Sequence, residues 1–291
     1  MNVDFLALPE LPPLPTGIVL AATPLGNIAD ATPRLMQALA EADYIAAEDT
    51  RRTRNLAQAL GVEIRGTIIS NFDHNEASRV DQLIELARNA TVVVVTDAGM
   101  PLVSDPGFPL VEAAHDAGVN ITCFPGPSAV PVALALSGLA VGKFAFDGFA
   151  PRKKGARIAW LETLRTEARS VCFFESPHRI ADTLADAVEV LGPDRRAAVA
   201  RELTKTYEEI KRGTLAELAD WAAGGLKGEI SCVIEGVVRK EVTDVTELIA
   251  QAVQRVEAGE RLKAVCAQLA DEHKVSKKEL YDGALAARDR V

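Results

Sequence analysis

The segment Val92-Val93-Val94-Val95-Thr96-Asp97-Ala98-Gly99-Met100-Pro101-Leu102-Val103-Ser104-Asp105-Pro106-Gly107 decides how this chain folds. Four consecutive β-branched residues favour a pleated strand over so short a helix. Every position is apolar, not every second one, so the strand is covered on both faces, as in the middle of a parallel sheet. The loop that follows holds two glycines and two prolines. Gly99 and Gly107 allow backbone shapes that other residues resist, while Pro101 and Pro106 hold Met100 and Asp105 extended. Ligands of open α/β sheets sit beyond the carboxyl ends of the strands. Segment 97–103 is therefore read as ligand-binding. Asp105 and Pro106 read as the N-cap and first residue of the next helix.

Strand and helix alternate on both sides of this segment. Gly17–Thr23 is a first strand ending in Pro24-Leu25-Gly26-Asn27, and Thr32-Pro33 opens a helix to about Ala42. Tyr44–Glu48 is a second strand, followed by a helix from Arg51 to Leu60 that Gly61 stops. Ile64–Ser70 and a helix over Asn75–Asn89 lead into the valine strand. Beyond it come a helix at Phe108–Ala117, a strand at Ile121–Phe124, the turn Pro125-Gly126-Pro127-Ser128, and a helix to about Ser137. This spacing predicts a parallel sheet with right-handed crossovers.

Near Gly148 the texture changes. Pro151-Arg152-Lys153-Lys154-Gly155-Ala156-Arg157 is basic and punctuated by glycine and proline, which places a domain boundary there. The second unit has a strand at Ser170–Glu175, a helix capped by Ser176-Pro177, a strand at Ala197–Leu203, Tyr207–Arg212, a helix at Leu215–Trp221 and a strand at Glu229–Gly236. After Val242 the chain turns helical. Leu248, Ile249, Ala252, Val253 and Val256 make one apolar stripe, and Leu262, Val265, Cys266 and Leu269 another. Ser276-Lys277-Lys278-Glu279 opens a last helix as a capping box, giving a unit like a helix-turn-helix.

Composition bounds the rest. A chain of 291 residues, 48% hydrophobic and 25% charged, is an ordinary globular protein of about two domains. No apolar run approaches the roughly 20 residues of a membrane span. The acidic, proline-rich residues 1–15 read as a disordered leader, not a signal peptide. Cys123, Cys172, Cys232 and Cys266 lack metal or disulfide spacing, so free thiols in a reducing cytoplasm are expected, with no metal. A net charge of −9 excludes wholesale coating of nucleic acid but leaves room for local basic patches. Gly138-Leu-Ala-Val-Gly142-Lys143 is one residue short of a P-loop, and no GxGxxG, HExxH or GxSxG occurs. Standard dinucleotide, metalloprotease and serine-hydrolase sites thus have no anchor.

Seven stretches, in order, resemble one family: Pro24-Leu25-Gly26-Asn27-Ile28, Ala47-Glu48-Asp49-Thr50-Arg51-Arg52-Thr53, the loop 97–107, Pro125–Ala129, Phe173-Phe174-Glu175-Ser176-Pro177-His178-Arg179, Arg201–Lys205 and Lys227-Gly228-Glu229-Ile230. Together they are similar to the ribosomal RNA small-subunit methyltransferase I family, of the tetrapyrrole-methylase fold. The resemblance covers residues 16–236 and extends to the helical tail. It implies two α/β domains of class III methyltransferase type with a cleft between them, 16–148 and 149–240, and a helical unit at 241–291. It also implies S-adenosylmethionine, a homodimer, and methylation of the ribose 2′-hydroxyl of a decoding-centre cytidine in 16S ribosomal RNA of the small subunit. Met100 departs from the small polar residue many relatives carry, and Phe72-Asp73 from a more basic or aromatic stretch.

Methyl transfer from a sulfonium depends mainly on alignment. Carbonyls of the Gly99-Met100-Pro101 turn, with Val103, suit a cationic donor, and weak C–H···O contacts can fix the methyl direction. Leu25-Gly26 and Ser128-Ala129 lie at neighbouring strand ends and line the same crevice. By resemblance, Phe174, Ser231 and Cys232 form the opposite wall against the adenine; the alternative is plain core strand. A ribose hydroxyl is a poor acid, so a base contributes about 10²–10⁴-fold. Glu48, Asp49 and His74 are the candidates, Asp49 alternatively being the cap of the following helix. Arg51, Arg52 and Arg54 sit at a helix start, against the macrodipole, which suggests phosphate contacts. Arg152, Lys153, Lys154 and Arg157 form a second basic cluster, with Arg179 and Lys205 as further members. A small-molecule tetrapyrrole methylase and a non-catalytic RNA-binding assembly factor are the competing functions. The first leaves the arginines unexplained, and donor binding tests the second.

Overall fold

The structure, a computed structural model, describes residues 11–71, 76–105, 107–237, 245–273 and 275–288. The compact unit that runs to Val237 contains two five-stranded sheets. In the first, β1 (Gly17–Ala21), β2 (Tyr44–Ala47), β3 (Thr67–Ser70), β4 (Thr91–Val95) and β5 (Ile121–Phe124) run in the order β3-β2-β4-β1-β5. Every pairing is parallel. The valine strand is central and wholly buried, with Val92 opposite Ile18 on one side and Tyr44 on the other. Its residues divide by parity. Val93 and Val95 pack with Leu35 and Leu39 of α1 (Pro33–Glu41) and Ala57 of α2 (Thr50–Ala59). Val92 and Val94 pack with Leu83 and Ile84 of α3 (Glu76–Ala87) and Leu110 and Ala114 of α4 (Phe108–Asp116). This double cover is why the strand needs an apolar side chain at each position.

The second sheet is mixed. Strands β6 (Phe144–Phe149), β7 (Ser170–Glu175), β8 (Arg196–Arg201), β9 (Glu209–Thr214) and β10 (Ile230–Ile234) follow the order β6-β7-β10-β8-β9. Only β6–β7 is parallel; the other three pairings are antiparallel. One face packs on α6 (Lys154–Thr163), α7 (Ile180–Leu191) and α8 (Leu215–Ala222) through Leu161, Ile180, Leu184, Leu215 and Leu218. The other face takes α5 (Ala129–Ser137), whose Val130, Ala133 and Leu134 meet Cys172, Ala200 and Val233. Helix α5 follows β5 of the first sheet and packs on the second, so it links the two layers.

Several boundaries differ from the sequence expectation. Strand β6 and helix α6 were not expected; β6 already belongs to the second sheet, so the expected boundary at 148 falls inside it. Strand β3 begins at Thr67, because Val62 and Ile64 are apolar to pack beneath α1 and α2. Strand β8 ends at Arg201, where Glu202 turns with φ 52°. Helix α7 starts at Ile180 behind Arg179, not at Ser176-Pro177. Helix α4 begins at Phe108, and its N-cap is Gly107 with φ 128°, not Asp105. Pro106 lies outside the described residues.

The second compact unit, Val238–Val291, contains α9 (Val245–Glu257), α10 (Leu262–His273) and α11 (Lys277–Arg288). Leu248, Ala252, Val265, Cys266, Leu269, Leu280 and Ala284 form its core, in keeping with the expected stripes. Ser276 Oγ accepts the Glu279 N–H at 3.3 Å, one arm of the expected capping box.

Candidate active site

A cleft of about 480 Å³ lies between the two sheets, within the roughly 300–1,000 Å³ typical of ligand sites. Its floor is the row of strand carboxyl ends. Across the sheet, β2 contributes Glu48, β4 the stretch Asp97–Met100 with Val103–Asp105, β1 Leu25, and β5 Ser128-Ala129. Its wall comes from the second sheet: Phe149, Phe174, Glu175, Ile230 and Ser231, with Ser176-Pro177 and Gly228-Glu229.

The loop after β4 is pinned. Thr23 N–H donates to Gly99 O at 2.9 Å and Gly99 N–H to Thr23 O at 3.0 Å, an antiparallel bridge that welds the loop to the end of β1. Gly99 is buried at φ 93°, and a Cβ there would stand 3.1 Å from Leu25 Cδ2. Leu102 and Ser104 have φ of 71° and 66°. Left-handed backbone in side-chain-bearing residues persists only where surroundings over-determine it, and it gathers at ligand-binding loops. The expectation of carbonyls offered by Gly99 and Met100 is narrowed, since Gly99 O accepts from Thr23 and Met100 O from Val103 at 3.3 Å. Each keeps one lone pair for a ligand. On the far wall Phe174 stacks edge-on against Phe146 and Phe149, with ring centres 5.0 and 5.5 Å apart.

The β2 end of the cleft is ionic. Glu48 Oε2 accepts from Thr96 Oγ at 2.6 Å and from Asp97 N–H at 3.1 Å. Arg52 reaches back from α2 to Asp97 Oδ2 at 3.1 Å. Asp97 Oδ1 is buried and has no hydrogen-bond partner among the described residues. Burial, then the neighbouring Glu48 carboxylate, push the Asp97 carboxyl above its ordinary range, with Arg52 pulling the other way. Asp49 behaves oppositely. It caps α2, accepting from Arg51 N–H at 2.8 Å and Arg52 N–H at 3.3 Å, and those bonds hold its carboxyl below the usual range. Its Oδ1 therefore does the helix-capping job, and Asp49 is not among the residues that line the cleft.

Of the expected donor-site residues, Leu25, Gly99, Met100, Val103, Ser128, Ala129, Phe174 and Ser231 line the cleft. Three do not. Cys232 follows Ser231 on β10, so its side chain turns to the opposite face and is buried in the core against α6–α8, which leaves plain core strand as its role. Pro101 is buried beneath the loop, and Gly26 lies against the Lys205 stem, where a Cβ would stand 2.2 Å from Cγ. Among the expected bases, Glu48 reaches the cleft and His74 lies outside the described residues. Arg51, Arg52, Arg54, Arg152, Lys153 and Lys154 are exposed cations. Arg157 is not: it is 5% exposed and locked to Asp186, with Nη2 to Oδ2 at 2.6 Å, so it is withdrawn from any RNA face. Arg179 holds the buried Glu175 at 2.5 Å, and Lys205 holds Glu202 and Glu229 at 2.8 and 3.1 Å. Sequence reasoning placed Asp97 in the ligand-binding segment without a role of its own, and did not assign Phe149, Glu175 or Glu229 to the cleft. Three of the four stand inside the motifs that carried the resemblance; Phe149 does not.

The lining suits a nucleoside-linked methyl donor: pinned backbone and small residues on one side, Phe174 and Ser231 on the other. No group of His, Cys, Asp or Glu able to hold a metal ion occurs among the described residues. No described helix is long and apolar enough to cross a membrane.

Residues 17–219, which carry both sheets up to β9 and most of the cleft, match the model of the tetrapyrrole (corrin/porphyrin) methylases, a class of methyltransferase. A solved uroporphyrin-III-C-methyltransferase from Thermus thermophilus superposes with a TM-score of 0.54 at 18% identity, covering 77% of this chain and 96% of that one. That likeness concerns the fold alone. Sequence similarity goes further. A ribosomal RNA small subunit methyltransferase I from Mycobacterium tuberculosis is 54% identical over 273 residues, 93% of this chain and 95% of that protein. One from Halalkalibacterium halodurans is 40% identical over 91% of this chain and 93% of its own. The chain belongs to the ribosomal RNA small subunit methyltransferase I family, within the tetrapyrrole methylases.

Proposed function

We propose that this chain transfers a methyl group from S-adenosylmethionine to the ribose 2′-hydroxyl of a decoding-centre cytidine in 16S ribosomal RNA. In this reading it acts on the small ribosomal subunit, as a homodimer in the cytoplasm. The observation that carries the reading is the division of one cleft, in a chain with relatives of that name, into two chemically different ends. The β1–β5 end, with Leu25, Gly99, Met100, Ser128, Ala129, Phe174 and Ser231, is small, apolar and rich in backbone, and takes the donor. The β2 end, with Glu48, Asp97 and Arg52, is ionic and takes the hydroxyl-bearing acceptor. S-adenosylmethionine supplies an electrophilic methyl carbon; the chain supplies alignment.

Exposed Arg51, Arg52 and Arg54 stand at the first turn of α2, and Arg152, Lys153 and Lys154 at the start of α6. On a chain of net charge −9 these islands favour a polyanion at two places and repel it elsewhere. That favours RNA over a tetrapyrrole as acceptor. The test incubates the protein with methyl-labelled donor and small subunits from cells lacking it, then digests the RNA to nucleosides. Labelled 2′-O-methylcytidine is expected. Label on a base, or none, refutes the reading, and light scattering checks the dimer.

A further inference from the structure

We infer that Asp97 is the residue that receives the acceptor: its Oδ1 takes the hydrogen bond, and then the proton, of the ribose 2′-hydroxyl. The inference rests on the methyltransferase reading above and names the group that reading leaves open.

Three carboxylates crowd the β2 end of the cleft, and their hydrogen bonds sort them. Glu48 takes both Thr96 Oγ1 and the Asp97 N–H on Oε2. Asp49 caps α2 through Oδ1 and does not line the cleft. Asp97 alone of the three has an oxygen, Oδ1, that is buried and without a donor among the described residues. More than about nine in ten buried polar groups find a partner, so such an atom calls for a ligand that brings one. Nor can the side chain turn elsewhere to find it. Arg52 holds Oδ2 at 3.1 Å, and Glu48 holds the backbone N–H at 3.1 Å. Both anchors come from the β2–α2 side. The residue is thus fixed at the carboxyl end of β4, two residues before the pinned Gly99 of the donor end.

Proton affinity agrees with the geometry. Burial and the neighbouring Glu48 carboxylate raise Asp97, Arg52 lowers it, and Asp49 acts both ways, its carboxylate raising and its backbone N–H lowering it. From the facing sheet, Glu175 and Glu229 line the same cleft, and each is held by its own cation, Arg179 and Lys205. In the step itself, the hydroxyl oxygen forms the new bond to the methyl carbon while its proton passes to Asp97 Oδ1. The methyl–sulfur bond breaks with its electron pair on sulfur, so alcohol, sulfonium and carboxylate become ether, thioether and carboxylic acid. Asp97 then releases the proton to water.

The test is single-turnover methylation of small subunits by the full chain, at saturating donor and RNA, from acid to neutral pH. The wild-type rate should climb with pH through a limb above the ordinary carboxylate range, because the base must be ionised. Asp97→Asn should lose about 10²–10⁴-fold in rate and lose the limb, with donor affinity by calorimetry and RNA affinity by filter binding unchanged. Arg52→Gln should move the limb to higher pH, since it removes the cation that favours ionised Asp97. An Asn variant that keeps both rate and limb overturns the assignment, and so does one that loses donor affinity instead. If that variant does not fold, Arg52→Gln decides, and an unmoved limb overturns the assignment. If the wild type transfers no methyl to ribosomal RNA, the functional reading falls and takes this one with it; transfer by the wild type with an unaffected Asp97→Asn sinks the assignment alone.

Discussion

Asp186→Ala should be among the most destabilising single changes in the second sheet's helices, because it strands a buried cation. Arg157 donates from Nε to Asp186 Oδ2 at 2.7 Å and from Nη2 at 2.6 Å, with both side chains 6–7% exposed. Without the carboxylate, the guanidinium keeps, among the described residues, the Arg152 carbonyl at 3.5 Å. Removing one partner of a buried pair costs about 3–5 kcal/mol. At roughly 2–4 °C per kcal/mol for a unit of this size, the melting temperature falls by about 6–20 °C. Arg157→Met should cost less, about 1–3 kcal/mol, because Lys154 still reaches Asp186 Oδ1 at 3.3 Å. Combining Arg157→Met with Asp186→Leu should restore most of the loss, since an apolar pair carries no stranded charge. Scanning calorimetry and urea titration of the three variants read the cycle. The salt dependence of RNA binding is measured alongside and should not change in Arg157→Met. An Arg157→Met variant of wild-type stability whose salt slope flattens would refute the structural role and return Arg157 to the RNA face.

The other expectations follow from single contacts. Gly99→Val forces a β-branched residue to φ 93°, at a cost of about 1–3 kcal/mol, and disturbs the Thr23 bridge; calorimetry should show lost S-adenosylmethionine affinity, and a folded variant that binds normally would put the donor elsewhere. Arg152→Glu with Lys153→Glu removes two exposed cations, so the log–log salt slope of RNA binding should flatten by about 2 while melting temperature holds; an unaltered slope would make the cluster mere solvated charge. Glu202 is held below its ordinary 4.5 by the Lys205 ammonium, then by the Glu229 N–H. Its contribution is full above pH 4.5 and is lost as pH falls through the depressed folded value, while Lys205, itself raised, stays protonated throughout. Glu202→Gln should therefore shrink the acid-range loss seen in urea titrations, and an identical acid profile would remove the pair from the account.

The first sheet was legible because its signals are local and repeated. A fully apolar run of valines, a Thr32-Pro33 cap and glycine stops each report the state of their own residues. Strand β6 gave no such signal. Phe144-Ala-Phe-Asp-Gly-Phe149 carries Gly148 and Asp147, both poor strand formers, and lies at the sheet edge, where pairing with β7 alone holds it. Its register with β7 shifts between Phe146 and Phe149, so no strict alternation is there to be read. Helix α6 was hidden for a different reason. Its opening Lys154 and Arg157 look like a linker because Asp186, the partner that buries Arg157, is 29 residues away.

The same contrast governs the site. Residues that bind through backbone shape declare themselves in sequence, since glycine and proline are chosen for φ; that made the loop after β4 legible down to Gly99 and Val103. Carboxylates do not declare their task. Glu48, Asp49 and Asp97 are chemically alike in sequence, and Asp49, flanked by arginines, looks the most reactive. What separates them is which donors the fold brings within reach. The turn of α2 claims Asp49 through two of its own N–H groups, and the parallel pairing of β2 with β4 brings Thr96 within reach of Glu48. Only then does Asp97 stand out, as the one of the three with a buried oxygen to which no described group donates. A site built from such leftovers has to be read by elimination across the whole hydrogen-bond network, which no local motif encodes. It follows that Glu48→Gln should act on Asp97 indirectly: with a neutral neighbour the Asp97 carboxyl becomes more acidic, and the ascending limb of the rate should move to lower pH, opposite to Arg52→Gln. Shifts of the same sign in the two variants would mean that the limb belongs to another group.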